Sequence, residues 1–130
     1  MFLAADTARD LMTAGPFSLP ADRTVPQAVA FFADRGFGAA VVIDPAGHPL
    51  GVVTKTDLLV HNRETPAGKS DTGTVRDVMT EAVFSVREDT PARSVIDQFV
   101  ALNVHHLFVV DPSGTVVGVI TPLDVLRKLQ

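Results

Sequence analysis

Shifted against itself by 67 positions (74 − 7), the chain matches without a gap. Thr7-Ala-Arg-Asp-Leu-Met-Thr13 falls on Thr74-Val-Arg-Asp-Val-Met-Thr80, Phe17-Ser18 on Phe84-Ser85, and Asp44-Pro-Ala-Gly47 on Asp111-Pro-Ser-Gly114. Gly51-Val-Val-Thr54 falls on Gly118-Val-Ile-Thr121, Asp57 on Asp124, and Leu59 on Leu126. A gapless match of this length marks an internal duplication. Two copies are too few, and the period too long, for a solenoid, so the expected architecture is a pseudo-two-fold pair. The repeats span 7–60 and 74–130. The segment 61–73, polar and rich in turn formers, reads as an exposed linker between them.

Both copies parse alike. A short helix covers Thr7 to Thr13, with Thr7 at its N-cap. A short strand follows at Phe17–Leu19. The next helix, Thr24 to Arg35, carries Val25, Ala28, Val29, Phe32 and Ala33 at the spacing of a buried helical stripe, matched in the second copy by Ala92, Val95, Ile96, Phe99 and Val100. It meets Gly36 in one copy and Asn103 in the other, the residues that best tolerate a left-handed helix terminus. Ala39–Ile43 and His106–Val110 read as buried strands, Asp-Pro-x-Gly as a hairpin turn, and Leu50–Val53 as the returning strand. A last helix begins at Thr54 or Thr121. The predicted fold is α/β (α+β): an opening helix and then β-α-β-β-α, twice, with the two sheets packed face to face.

Composition narrows the function. Apolar residues make up 46% of the 130, enough for a core. The net charge of −4 argues against a duplex nucleic-acid binder, which needs a basic face. With no cysteine there is no disulfide framework, thiolate nucleophile or cysteine-rich zinc site. The start, Met1-Phe-Leu-Ala-Ala-Asp6, lacks the basic region of a signal peptide. No run approaches the roughly 20 apolar residues of a membrane span, so a cytoplasmic protein with no membrane partner is expected. His105 and His106 are adjacent on a strand and point to opposite faces, while His48 and His61 lack ligand spacing, so no metal site is expected. No nucleophile elbow, serine–histidine–acid pattern or phosphate-binding glycine loop is present, and no enzyme is expected.

The motif with chemical content is Gly-x-x-Thr-x-x-Asp, present as Gly51…Thr54…Asp57 and Gly118…Thr121…Asp124. One reading is structural: Thr caps a helix and the acid at N3 reaches back to it, with Pro122 suited to the first helical position. The other is functional: a helix start attracts phosphate, and a carboxylate there can accept two hydrogen bonds from a ribose diol. The two readings are compatible.

Phe-Ser-Val-x-Glu-Asp-Thr-Pro at 84–91, His-His-Leu-Phe-Val-Val-Asp at 105–111 and Gly-Val-Ile-Thr-x-x-Asp at 118–124 resemble, in order, the signatures of a cystathionine-β-synthase (CBS) domain, and the first repeat is similar throughout. The resemblance is to a tandem CBS pair, or Bateman module. It implies two clefts between the repeats that bind adenosine ligands such as AMP, ADP, ATP or S-adenosylmethionine. It assigns ribose and phosphate contacts to Thr54 with Asp57 and to Thr121 with Asp124. Adenine contacts fall on residues around Phe17 and Ser18, and around Phe84 and Ser85. Phosphate contacts fall on His105 and His106. The first repeat departs here, with Gly38 and Ala39 in place of the histidines and Lys55 the only cation near its cleft, so the cleft on Asp124 is expected to be the stronger. The family implies regulation of a separate effector protein. The rival reading is an interaction or dimerisation module with degenerate clefts. A homodimer is expected in either case. Phe31 lies off the buried stripe, and Leu58-Leu59 and Val125-Leu126 exceed what one buried face needs.

Overall fold

The computed structural model describes residues 1–14, 18–35, 38–68 and 72–130. Among them the elements run α1 (Ala8–Leu11), β1 (Thr13–Ala14), β2 (Ser18–Pro20), α2 (Val25–Arg35), β3 (Ala39–Ile43), β4 (Pro49–Thr54) and α3 (Lys55–Glu64). The second repeat gives α4 (Val75–Val78), β5 (Ser85–Arg87), α5 (Ala92–Leu102), β6 (Leu107–Val110), β7 (Val116–Ile120) and α6 (Pro122–Leu126). The expected order is present in both copies, with β1 as an added short strand. The helix terminus expected at Gly36 lies outside the described residues. Its counterpart Asn103 is left-handed, with φ 52°. α3 runs on through Glu64, into the segment read as linker.

The chain forms two compact units, and they do not coincide with the repeats. One comprises Met1–Pro16 with Phe84–Gln130, the other Phe17–Val83. Each repeat's opening helix therefore belongs to the unit built on the other repeat's sheet. In the first unit the sheet order is β1-β7-β6-β5, with β5 parallel to β6 and the other pairs antiparallel. In the second it is β2-β3-β4, with β2 parallel to β3.

Hydrogen bonds anchor the exchanged segments. In the first unit the Ala8 N–H donates to the Thr90 carbonyl at 2.8 Å, Arg9 N–H to Glu88 at 3.0 Å, and Ala92 N–H to Asp6 at 2.9 Å. In the second, Val75 N–H donates to Arg23 at 2.8 Å, Arg76 N–H to Ala21 at 3.1 Å, and Val25 N–H to Gly73 at 3.0 Å. The hydrogen bonding is the same in both units. Each unit has its own core. One gathers Leu19, Val25, Ala28, Phe32, Val42 and Val53, with Val75 from the exchanged α4. The other gathers Val86, Val95, Leu107, Val109 and Ile120, with Ala8 and Leu11 from the exchanged α1.

The amphipathic stripes are narrower than expected. Val25, Ala28 and Phe32 are buried, but Val29 and Ala33 are exposed. On α5, Ala92 and Val95 are buried while Val100 is 78% exposed. The hairpin turns are tied by their aspartates. Asp111 Oδ1 accepts from Ser113 Oγ at 2.7 Å, Ser113 N–H at 2.9 Å and Thr115 N–H at 3.0 Å. The Ser113 hydroxyl, then the Thr115 amide, hold its carboxyl below the ordinary value.

Candidate functional site

In the Phe17–Val83 unit, antiparallel pairing sets Ala39 opposite Thr54, so the start of β3 lies beside the end of β4. The chain turns there into α3, and Lys55 N–H donates to the Gly38 carbonyl at 3.2 Å. Thr54 is extended (φ −119°, ψ 164°) and caps the helix. Asp57 N–H donates to Thr54 Oγ1 at 3.1 Å, and Thr54 N–H donates to Asp57 Oδ2 at 2.8 Å. The unit holding residues 84–130 repeats this: Thr121 N–H donates to Asp124 Oδ2 at 2.8 Å, and the Thr121 hydroxyl does so at 3.1 Å. The structural reading of Thr-x-x-Asp is therefore correct at both sites.

The cap leaves something over. Each aspartate uses only Oδ2, and among the described residues neither Oδ1 has a partner. Both side chains are half-buried. A carboxylate held by one oxygen presents the other in a fixed direction, ready to accept hydrogen bonds.

Around Asp124 the same end of the sheet collects Thr121, His105, His106, Phe84 and Ser85. Leu107 pairs with Ile120, which sets the two histidines and Thr121 just beyond the paired strand ends. Phe108 N–H donates to the Phe84 carbonyl at 3.0 Å, so Phe84 lies alongside the start of β6, 39% exposed. Ser85 and His105 are exposed and His106 is half-buried. Burial, with the neighbouring His105 second, pushes the His106 imidazole below its ordinary value, so it is neutral at pH 7. Around Asp57, Ser18 stands opposite Val41 on the parallel neighbour, Lys55 is exposed, and Gly38 and Ala39 bring no charge. Phe17 lies outside the described residues.

Reasoning from sequence missed why the motif begins with glycine. A Cβ on Gly51 would sit 2.6 Å from the Thr80 carbonyl oxygen and 2.8 Å from Met79 Sδ. On Gly118 it would sit 2.9 Å from the Thr13 carbonyl oxygen and 2.6 Å from Met12 Sδ. The exchanged Met-Thr segments close onto the motif strands: Val52 and Thr80 trade backbone hydrogen bonds at 2.8 and 2.9 Å, and Thr13 pairs with Val119. The signal was present in the sequence as the co-occurrence of Met-Thr and Gly in each copy. Arg9 reaches from the first repeat to the second, with Nη1 3.0 Å from Glu88 Oε2.

Phe31 corrects another expectation. It is half-buried against the core, edge-on to Phe32 with centroids 5.6 Å apart, and the Arg35 guanidinium lies 4.5 Å from its ring centroid. It is not part of an exposed patch. The adjacent leucines divide as expected: Leu58 is buried and Leu59 is 69% exposed, Val125 is buried and Leu126 is 60% exposed. No group of histidines and acids that could hold a metal ion occurs among the described residues, and no described helix is long and apolar enough to cross a membrane.

Known proteins carry the same architecture. CBSX2, solved in complex with AMP, is 26% identical, with a TM-score of 0.78 over 95% of each chain. The cytosolic domain of the Mg2+ channel MgtE in complex with ATP is 27% identical, with a TM-score of 0.80 over 98% of this chain and 50% of that one. Among curated relatives, an uncharacterized protein of Methanopyrus kandleri is 27% identical over 92% of this chain and 58% of its own length. The inosine-5'-monophosphate dehydrogenase of Nitrosopumilus maritimus is 29% identical over 91% of this chain, which spans 23% of that enzyme. The CBS domain model matches twice, at residues 8–63 and 75–130, and the chain belongs to the CBS domain family as a tandem pair.

Proposed function

We propose that this CBS pair is a regulatory module that binds an adenosine ligand, AMP or ATP in the first place, through Asp57 and Asp124. The observation that carries the reading is the unpartnered Oδ1 of each capped aspartate, held at the sheet end where Thr54 or Thr121 begins a helix. A ribose diol supplies the two donors such an oxygen accepts. The bound AMP and ATP of the CBSX2 and MgtE structures support the choice of ligand class.

The two sites are unequal. At Asp124 the exposed Phe84 offers an aromatic face to adenine, and the exposed His105 and half-buried His106 are the phosphate contacts. At Asp57 the cation at the helix start is Lys55, with no counterpart of the histidine pair at Gly38 and Ala39, and this site is the weaker.

A second copy of the chain is the proposed structural partner, and a separate effector protein the regulatory one. In the Phe17–Val83 unit, Val29 (49% exposed) and Leu59 rim an apolar groove of about 350 Å³ with Phe32 and Leu58. The other unit presents Val100, Leu123 and Leu126, each more than half exposed. Apolar helix faces of this kind mark interfaces.

Calorimetry with AMP, ADP, ATP and S-adenosylmethionine tests the reading. Saturable binding that Asp124→Ala weakens more than Asp57→Ala does supports it. A protein that melts cooperatively yet gives no heat with any of the four is an interaction module instead.

A further inference from the structure

The duplication supplies an internal control for every surface of the molecule, and one surface differs in a way that packing does not explain. In the unit holding residues 84–130, the loop Arg87–Thr90 runs against the exchanged helix α1. Its Glu88 carboxylate takes the Arg9 guanidinium at 3.0 Å. The corresponding loop in the other unit, Pro20–Arg23, has the same backbone. Thr90 N–H donates to Arg87 at 3.1 Å and Arg23 N–H to Pro20 at 3.2 Å, while Arg9 N–H meets Glu88 as Arg76 N–H meets Ala21. The side chains are different. Glu88 becomes Ala21, so Arg76, the counterpart of Arg9, loses its carboxylate. Thr90 becomes Arg23, which brings in a second guanidinium, and Arg87 becomes Pro20.

Both arginines are exposed, and neither has an ion-pair partner among the described residues. They line one cavity of about 780 Å³ with Pro20, Ala21, Ile43 and Pro45, within the range of small-molecule sites. Two acids stand on its wall. Asp44 is engaged in its own turn, accepting from Ala46 and His48 N–H at 2.9 Å each and lying 3.6 Å from His48 Nδ1. Asp22 is the other, with no partner among the described residues, so the lining carries two guanidiniums and two carboxylates, one of which is tied into its own turn. The cavity opens at the Pro20 and Ile43 end of the parallel pair, whereas Thr54 and Asp57 lie at the Ala39 end of β3.

We propose that the Arg23–Arg76 cavity is a second ligand site, distinct from the adenosine sites, which takes a small phosphorylated molecule. The two guanidiniums hold the phosphate, as their planar donor forks are suited to do, and the Pro20, Ile43 and Pro45 wall receives the organic body. The assignment does not depend on the Asp57 and Asp124 sites, which share no residue with it.

The test is a nitrogen-15 NMR titration of the full chain with pyrophosphate, inorganic phosphate and ribose 5-phosphate. Pyrophosphate is expected to shift the backbone amides of residues 21–24 and 73–76 and the Nε–H signals of Arg23 and Arg76 along one saturable curve. Ribose 5-phosphate binding more tightly than inorganic phosphate assigns the organic body to the cavity. Equal affinity reduces the proposal to a bare phosphate site and overturns the organic part. Ala21→Glu restores the carboxylate that its twin carries and is expected to pair with Arg76, weakening pyrophosphate by about tenfold or more. Arg76→Gln does the same by removing the donor, which covers the case of an Ala21→Glu protein that fails to fold. In Asp57→Ala and Asp124→Ala the saturable shifts at residues 21–24 and 73–76 are unchanged. Shifts that do not saturate, or that persist undiminished in Arg76→Gln, overturn the proposal.

Discussion

Replacing Asp124 by asparagine separates the two duties of its carboxylate. Oδ2 accepts the Thr121 N–H at 2.8 Å and the Thr121 hydroxyl at 3.1 Å, while Oδ1 is open. Asparagine keeps one oxygen, which can still serve the cap, and places an NH2 where the second acceptor stood. Alanine removes both. Loss of the two bonds that Thr121 makes to the Asp124 carboxylate, the reciprocal half of the capping box, costs about 1 kcal/mol, so Asp124→Ala is expected to lower Tm by about 4 °C for a chain of this size. Asp124→Asn should lose less than half of that. For AMP the two variants should be alike. A hydrogen bond to a charged acceptor is worth about 1.5–3 kcal/mol, which is at least a tenfold loss of affinity. Calorimetry gives the binding and thermal denaturation the stability, each on the same preparations. Asp124→Asn that binds AMP as wild type does would refute the reasoning, because the open oxygen would then contribute nothing to the ligand.

Gly51→Ala is expected to destabilise by about 1–3 kcal/mol, as its new methyl meets the Thr80 carbonyl, which cannot swing aside as the Met79 side chain can; urea denaturation measures it. Gly118→Ala should act likewise against Thr13. Leu59→Glu with Leu126→Glu should convert a dimer to monomers in light scattering at tens of micromolar, whereas Phe31→Ala should lower stability by about 2 kcal/mol and leave the oligomeric state unchanged. His106 is held below its ordinary value by burial, so the unfolded chain binds a proton first as pH falls. Stability should therefore fall as pH drops from 7.5 through about 6.5 towards 5, at no more than about 1.4 kcal/mol per unit, and His106→Gln should flatten that slope in chemical denaturation.

Much of the local structure is legible in the chain because local chemistry decides it. Asn103 marks a left-handed helix end, and the Thr-x-x-Asp boxes are the hydrogen-bonded caps their spacing implies. Three features are not legible. Periodicity says which residues share a helix face but not how wide a face the sheet covers; hence Val29 and Val100 face outward, although they hold the same spacing as Phe32 and Val95. A repeat also cannot say whether an element packs on its own copy or on its twin, because the two surfaces have nearly the same sequence. The exchange of α1 and α4 therefore had no signature of its own. Phe31 was misplaced for a third reason: an arginine one turn away can cover an aromatic ring, and hydrophobic patterning does not register a cation over a π face.

The exchanged opening helices have a consequence for how such a chain comes into being. Neither repeat completes its own sheet edge, since Val52 needs Thr80 and Val119 needs Thr13. A single ancestral repeat with this hydrogen bonding would have had to swap its helix with a second molecule, as domain-swapped dimers do. Within one chain the same reciprocal exchange is tethered, where between two molecules it would depend on concentration. A chain severed between Glu64 and Thr74 should then behave as its ancestor did. The halves should be unstructured apart and should fold when mixed, with a midpoint that depends on their concentration.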